Sequence, residues 1–347
     1  MRFYSHTHKH TCGIDLHARS MYLCVLDGQD QVLLHKDFPT DPAILLNALA
    51  PFREDLVIGV ECMFSWYWVA DLCANEGIPF VLGHALYMGA IHGSKSKNDR
   101  IDALKIAKLL KGGMFPMAYV YPRPMRATRD LLRRRLHLVR HRARLLAHVQ
   151  NTHHQYNLPS PGRIAYKCNR EGIGPGFEDP STKQAVALDL SLVEVYDQRI
   201  RELELFLVRR AKQHDATVFH RLRTVPGIGK ILAMTILYEI HDIARFPRVQ
   251  DFASYARLVK GTKESAGKRK GSSGAKMGNV HLKWAFSEAA VLFLAKCERG
   301  KAFKARLEKK HGKGKSLSIL AHKLGRAVYH MLARKTAFDL ERFLKTN

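Results

Sequence analysis

Apolar and polar positions alternate through T-C-G-I-D-L-H-A-R-S-M-Y-L-C-V-L-D (11–27) and again through Q-V-L-L-H-K-D-F (31–38), with Gly28, Gln29 and Asp30 between the two runs. A period of two around an Asp-Gly step predicts two antiparallel strands joined by a short turn. Residues 42–49 have helical spacing, and L-V-I-G-V-E (56–61) is an apolar run short enough to be a third, buried strand. A helix over 66–75 closing at Gly77, a strand over 78–82 and a helix over 98–110 follow, the last carrying Ile101, Leu104, Ile106 and Leu109. Strands alternating with helices predict an α/β domain over 8–115.

Beyond Pro122 the period changes. Leu132, Leu136, Val139, Ala143 and Leu146 step by four and three, and so do Val193, Tyr196, Ile200, Leu203 and Leu207. Two such helices around a Pro-, Gly- and Ser-rich stretch at 157–181 predict a coiled-coil connector over 123–215, either an αα-hairpin or a bundle element. R-T-V-P-G-I-G-K (223–230) then reads as helix, glycine turn, helix, opening a mostly helical domain over 218–335. Residues 261–278, rich in Gly, Ser and Lys, read as a loop. The fold class expected is therefore α/β followed by all-α.

Charge sharpens this division. Of 347 residues, the first 110 hold 10 Lys+Arg against 12 Asp+Glu, and the remainder 47 against 19, which confines the net charge of +26 to the rear. Such a surplus calls for a polyanion, so nucleic acid is the expected partner. Nine arginines and one acid lie between Arg123 and Arg144, making Arg126, Arg129, Arg133, Arg134 and Arg140 candidate backbone contacts. Gly227, Gly229 and Lys230 are candidates too, because glycines let backbone N–H groups approach a phosphate at a helix start. No apolar run reaches the length of a membrane helix, and the first residues carry no apolar signal core, so a cytoplasmic, nucleoid-associated protein without a membrane partner is expected. Six cysteines without a C-x-x-C pair read as reduced thiols, and His6, His8 and His10 as a solvated terminus.

Four carboxylates carry the candidate chemistry. Asp15 lies in the first strand, Glu61 ends the 56–61 strand, and Asp99 and Asp102 stand three apart on one face of a helix start. Hard oxygen donors drawn from separated elements suit Mg2+, with Mn2+ as the alternative, and phosphodiester chemistry commonly uses such ions in pairs.

The order of these acids resembles the RuvC-like branch of the ribonuclease H fold. G-I-D-L-H, V-E-C, K-N-D-R-I-D-A, T-V-P-G-I-G-K and the stretch from Ser265 to Asn279 are together similar to the DEDD transposases of insertion sequences, relatives of Piv-type DNA invertases. That resemblance spans about residues 10–300. It implies a recombinase that joins its acidic site to a serine in a C-terminal transposase domain, guided by a bridge RNA. Ser265 meets the family's spacing to both the G-K step and K-x-G-N, with Ser272 and Ser273 in reserve. Lys283 stands where relatives usually have arginine. Lys268, Arg269 and Lys276 would neutralise the reacting phosphate. A phosphoserine intermediate would conserve the phosphodiester energy, in keeping with the lack of a P-loop. A dimer or tetramer is expected, since two DNA molecules must be held. The alternatives are a hydrolytic nuclease or Holliday-junction resolvase, and a non-catalytic nucleic-acid-binding protein.

Overall fold

The computed structural model describes residues 2–91, 98–159, 162–273 and 277–345. The chain divides into two compact units, Met1–Arg123 and Pro124–Asn347.

The first unit contains β1 (His10–Leu16), β2 (Ser20–Leu26), β3 (Val32–Pro39), α1 (Pro42–Leu49), β4 (Leu56–Glu61), α2 (Tyr67–Asn75), β5 (Phe80–Gly83), α3 (Ala85–Ile91) and α4 (Asp99–Lys111). The 11–27 run is two strands, not one. The polar step His17-Ala18-Arg19 interrupts it, and the His17 amide donates to the Ser20 carbonyl at 2.9 Å to close a hairpin. The five strands are ordered β3-β2-β1-β4-β5: β1 to β3 form an antiparallel meander, whereas β4 and β5 run parallel to β1.

Alternation along β1 and β4 sends side chains to two layers. Cys12, Ile14, Ile58 and Val60 enter one core with Leu45 and Leu49 of α1 and Val69 and Cys73 of α2. The opposite face carries Gly13 and Gly59 under α4. A Cβ on Gly13 would sit 3.0 Å from Ala107 Cα and closer still to the Ala103 oxygen and the Ala107 nitrogen, so only glycine lets the α4 backbone lie directly on β1. The helix is fixed at both ends. Asn98 Oδ1 accepts from the Ile101 amide at 2.8 Å as an N-cap, a His35 ring nitrogen reaches the Arg100 carbonyl at 2.9 Å, and Lys111 pairs with Asp30 at 2.8 Å. Of the three N-terminal histidines His6 is exposed as expected, whereas His8 and His10 are less solvated. His8 bridges Tyr4 and Asp55, at 2.6 Å to each, and His10 Nδ1 lies 3.1 Å from the Phe52 carbonyl.

The second unit contains α5 (Arg123–Gln155), α6 (Pro180–Leu222), α7 (Lys230–Ile240), α8 (Val249–Tyr255), β6 (Gly261–Ser265), β7 (Lys268–Ser273), α9 (Val280–Lys296), α10 (Glu298–His311), α11 (Lys313–Ala333) and α12 (Leu340–Leu344). The long helices α5 and α6 run antiparallel, laced by Arg135–Glu204, Arg142–Asp197 and His148–Asp189, each at 2.5 Å. Beneath that ladder Leu146 and Val149 pack with Val186 and Val193, although Ala143, expected on the same seam, is exposed. Near its end α6 kinks at Asp215, whose side chain accepts from the Val218 amide at 2.7 Å and so caps the final turns as if a new helix began there. A larger core joins α7, α9 and α11 around Tyr238, Phe252, Phe286 and Phe293. All six cysteines are free, and among the described residues no helix is long and apolar enough to cross a membrane.

Candidate active site

Parallel pairing of β1 with β4 ends at Ile14 opposite Val60. One residue further along each strand stand Asp15 and Glu61, at neighbouring C-terminal strand ends. Strand alternation puts both on the face of Gly13 and Gly59, the face α4 covers. Because α4 crosses β1 with Ala103 and Ala107 over Gly13, its preceding turn, carrying Asp99 and Asp102, lies toward Asp15. Two acids in the first turn of a helix also complement the positive end of its dipole.

The tightest group is Asp15, His17 and Asp99, which offer ligand atoms all within 4.8 Å of one another. His17 Nε2 stands 3.5 Å from Asp15 Oδ2 and 3.5 Å from Asp99 Oδ1. Asp102 lies near enough for its charge to act on Asp15 and has Lys105 Nζ at 3.4 Å. Burial pushes the Asp15 carboxyl above the usual carboxylate range, and the charges of Asp99 and Asp102 push the same way against the opposing pull of His17. Like charges gathered this way are a donor set that a cation would relieve. The two carboxylates of this group suit Mg2+ or Mn2+, and the imidazole adds a nitrogen that first-row metals accept. His17 was not among the site residues read from the sequence, although its position two residues after Asp15 in G-I-D-L-H was the available signal.

In the second unit the stretch expected to be a loop at 261–278 contains the β6–β7 hairpin. Its Lys-, Gly- and Ser-rich composition hides the alternation of a solvated ribbon, while Ser265-Ala266-Gly267-Lys268 supplies the turn. Ser265 pairs with Lys268 across Ala266 and Gly267, both at positive φ (53° and 70°), which is a two-residue hairpin turn. Ser265 is thus exposed at the hairpin tip beside Lys268. Ser272 and Ser273 pair with Thr262 and Gly261 at the far end, Arg269 pairs with Glu264, and Lys276 lies outside the described residues. After the hairpin Gly278 (φ 86°) passes under the Tyr255 carbonyl, and the Asn279 amide donates to that same oxygen at 2.6 Å.

Several residues expected to contact nucleic acid also make contacts within the protein. Glu239 of α7 is 1% exposed. It accepts from Arg129 Nε at 2.9 Å, from Arg133 Nε and Nη2 at 2.7 and 2.9 Å, and from Asn279 Nδ2 at 2.7 Å. Burial alone would raise the Glu239 pKa; Arg133, Arg129 and Asn279 outweigh it and pull it down to about 2. Arg126, at 4% exposed, is buried on the inward side of α5. Gly227 is also buried: its missing Cβ makes room for the backbone of Leu292 and Phe293, so its φ of 90° serves packing against α9. Gly229 and Lys230 remain exposed at the start of α7. On the outer side of α5, Arg134, His137, Arg140 and Arg144 stand exposed together. Partial loss of water, then the charges of His141, Arg134, Arg144 and Arg140, lower the pKa of His137, in keeping with the cationic groups around it.

A mixed sheet in the order 3-2-1-4-5, with acids at the ends of β1 and β4 and on the helix crossing them, defines a ribonuclease H-like domain of the kind that acts on phosphodiesters. Comparison with known proteins agrees. A family model for DEDD transposases of the IS110 type, described as "Transposase", matches residues 12–157, and one described as "Transposase IS116/IS110/IS902 family" matches 219–307. The chain is 21% identical over 337 residues to the transposase for insertion sequence element IS1111A of Coxiella burnetii, covering 94% of this chain and 90% of that one. It is 25% identical over 249 residues to the protein y4qE of Sinorhizobium fredii, also described as a transposase, covering 70% of this chain and 60% of that one. The chain belongs to the IS110 family of DEDD transposases. It is accordingly an enzyme of DNA transposition, DNA is its partner, and its family implies use of a divalent metal.

Proposed function

We infer that this transposase cuts and rejoins DNA through a serine, with Mg2+, or Mn2+ in its place, held by Asp15, Glu61, Asp99 and Asp102, and that a bridge RNA selects the DNA. The observation that carries this reading is the gathering of Asp15 and Asp99 donor atoms with His17 inside 4.8 Å, with the charge of Asp102 acting on Asp15. When bound, the metal would polarise the scissile phosphate and favour an ionised oxygen nucleophile.

The chain's own residues supply the rest. Ser265 Oγ attacks phosphorus, one deoxyribose hydroxyl leaves with a proton, and the phosphoserine ester keeps the bond energy for a second, reverse attack by a new strand end. Lys268, beside Ser265 at the hairpin tip, together with Arg269 and Lys276, offsets the charge that builds on the phosphate oxygens. His17, poised between two carboxylates, is suited to hold a metal. The strip of Arg134 and Arg140, with Lys230 at the start of α7, supports backbone contacts that carry no base information, in keeping with sequence choice by a guide RNA. Because two DNA molecules must be held at once, the working form is a dimer or tetramer.

The test is incubation of the full-length protein, with RNA transcribed from the DNA flanking its gene and DNA carrying the element ends, in Mg2+. A covalent protein–DNA adduct is expected, absent in Ser265→Ala and in Asp15→Asn. An adduct that persists in Ser265→Ala moves the nucleophile to another residue, such as Ser272 or Ser273. Nicking without any adduct makes the enzyme a hydrolytic nuclease.

A further inference from the structure

The loop that leaves Glu61 presents two apolar side chains to solvent. Phe64 is 80% exposed, well beyond the other large apolar side chains on the surface, and Met63 beside it is exposed as well. An isolated exposed apolar residue needs no explanation, but this loop had a place to put an aromatic ring and used it two residues later. Trp66 is buried, its ring stacked on Phe80 at 6.4 Å between centroids and edge-on to Tyr67 at 4.6 Å.

The tip is also held rather than loose. The Cys62 amide donates to the Gly83 carbonyl at 2.9 Å, and the Met63 amide donates back to the Glu61 carbonyl at 2.8 Å. On the other side Ser65 Oγ donates to the Leu16 carbonyl at 3.3 Å. Leu16 is the residue between Asp15 and His17. Phe64 therefore projects from a loop pinned at one end to Glu61 and at the other to the backbone that carries the Asp15–His17–Asp99 group, so it stands at the rim of the acidic edge.

A flat aromatic face held in water beside a phosphodiester-cutting site matches the chemistry of a nucleobase. Bases stack on aromatic side chains whatever their identity, and apolar wedges inserted between base steps unstack and kink a duplex. Resting on the reading that the acids act on DNA, we propose that Phe64, flanked by Met63, is a base-stacking wedge that engages the nucleotide next to the scissile phosphate and unstacks it, so that the phosphate can descend to the acids. Such an element tolerates any sequence, as a guided enzyme requires, and contributes nothing to metal binding.

The experiment uses the full-length protein with RNA transcribed from the DNA flanking its gene, Mg2+, and two DNAs spanning the cleaved element end. One is fully paired; the other carries two mismatched bases flanking the cleaved phosphate; both have 2-aminopurine beside it. With the parent protein the paired DNA brightens on binding and is cut. Phe64→Ala should lose the brightening and cut the paired DNA roughly ten- to a hundredfold more slowly, while cutting the mismatched DNA at close to the parental rate. Phe64→Trp should retain both signals. Cleavage of paired DNA by Phe64→Ala at the parental rate, or an equal loss on both DNAs, overturns the wedge. Asp15→Asn distinguishes the two levels: it should cut neither DNA, and if it cuts both, the acid-site reading fails and the wedge with it.

Discussion

The close approach of α4 to β1 at Gly13 is the contact on which the acidic site most directly depends, and Gly13→Ala perturbs it with a single methyl group. The added Cβ would meet the Ala103 oxygen and the Ala107 nitrogen well inside van der Waals contact and would lie 3.0 Å from Ala107 Cα. All three are backbone atoms of a helix capped by Asn98 and tied down through Arg100 and Lys111, so no side chain can swing aside. Relief requires α4 to lift by roughly 1 Å, with overpacking costs of about 1–3 kcal/mol in stability. The same lift carries Asp99 and Asp102 away from Asp15, and misplacement on that scale costs on the order of a hundredfold in rate. Thermal unfolding and Mg2+-dependent strand cleavage read the two effects together. Gly13→Ala should melt at a lower temperature, cut more slowly and need more metal. Gly28→Ala, at a turn where nothing lies within 4 Å of the added Cβ, should change neither stability nor cleavage. Parental cleavage and an unchanged metal requirement in Gly13→Ala would refute the claim that this contact sets the geometry of the acids.

Further outcomes follow from other sites. His17→Ala should raise the Mn2+ or Mg2+ concentration giving half-maximal cleavage, and an unchanged requirement would remove His17 from the metal group. The Glu239 pKa, lowered from 4.5 to about 2 at 1.36 kcal/mol per unit, corresponds to stabilisation on the order of 3 kcal/mol. Since the folded value is depressed, that stabilisation is complete above pH 4.5 and is lost as pH falls toward 2, so denaturant titrations of the parent and Glu239→Gln should converge over that window. Replacing Arg134, Arg140 and Arg144 by Gln should weaken duplex binding at every sequence and flatten the plot of log K against log salt by about 0.9 for each phosphate no longer neutralised. Arg129→Gln should instead lower the melting temperature, because it leaves part of the buried Glu239 charge uncompensated.

What the sequence disclosed and what it hid divide along physical lines. Strand and helix periods in the first 115 residues are set by burial on one or two faces, so α1, β4 and α4 were legible from apolar spacing, and the acids from their place at element ends. The hairpin around Ser265 was not, because a ribbon wet on both faces has no apolar alternation to read; only the S-A-G-K turn betrays it. The internal engagement of Arg126, Arg129, Arg133 and Gly227 escaped the sequence for a different reason. A basic helix looks uniformly cationic in one dimension, and only the position of one acid in α7, Glu239, determines which arginines turn inward. Glycine in P-G-I-G is equally ambiguous, since approach to a phosphate and approach to the α9 backbone require the same missing Cβ.

That ambiguity bears on how the charge of this chain works. Were all nine arginines of 123–144 spent on a polyanion, α5 would have little but apolar seams to hold it in place. The structure spends Arg129 and Arg133 on Glu239, Arg135 on Glu204 and Arg142 on Asp197, leaving Arg134, Arg140 and Arg144 exposed on the outer side. The pairs on buried Glu239 hold best against salt and the half-buried Arg135–Glu204 and Arg142–Asp197 pairs less so, whereas an exposed strip is screened most. Rising salt should therefore release nucleic acid from α5 well before it loosens α5 from α6 and α7, so the protein can exchange its polyanion without unfolding the scaffold that presents Ser265.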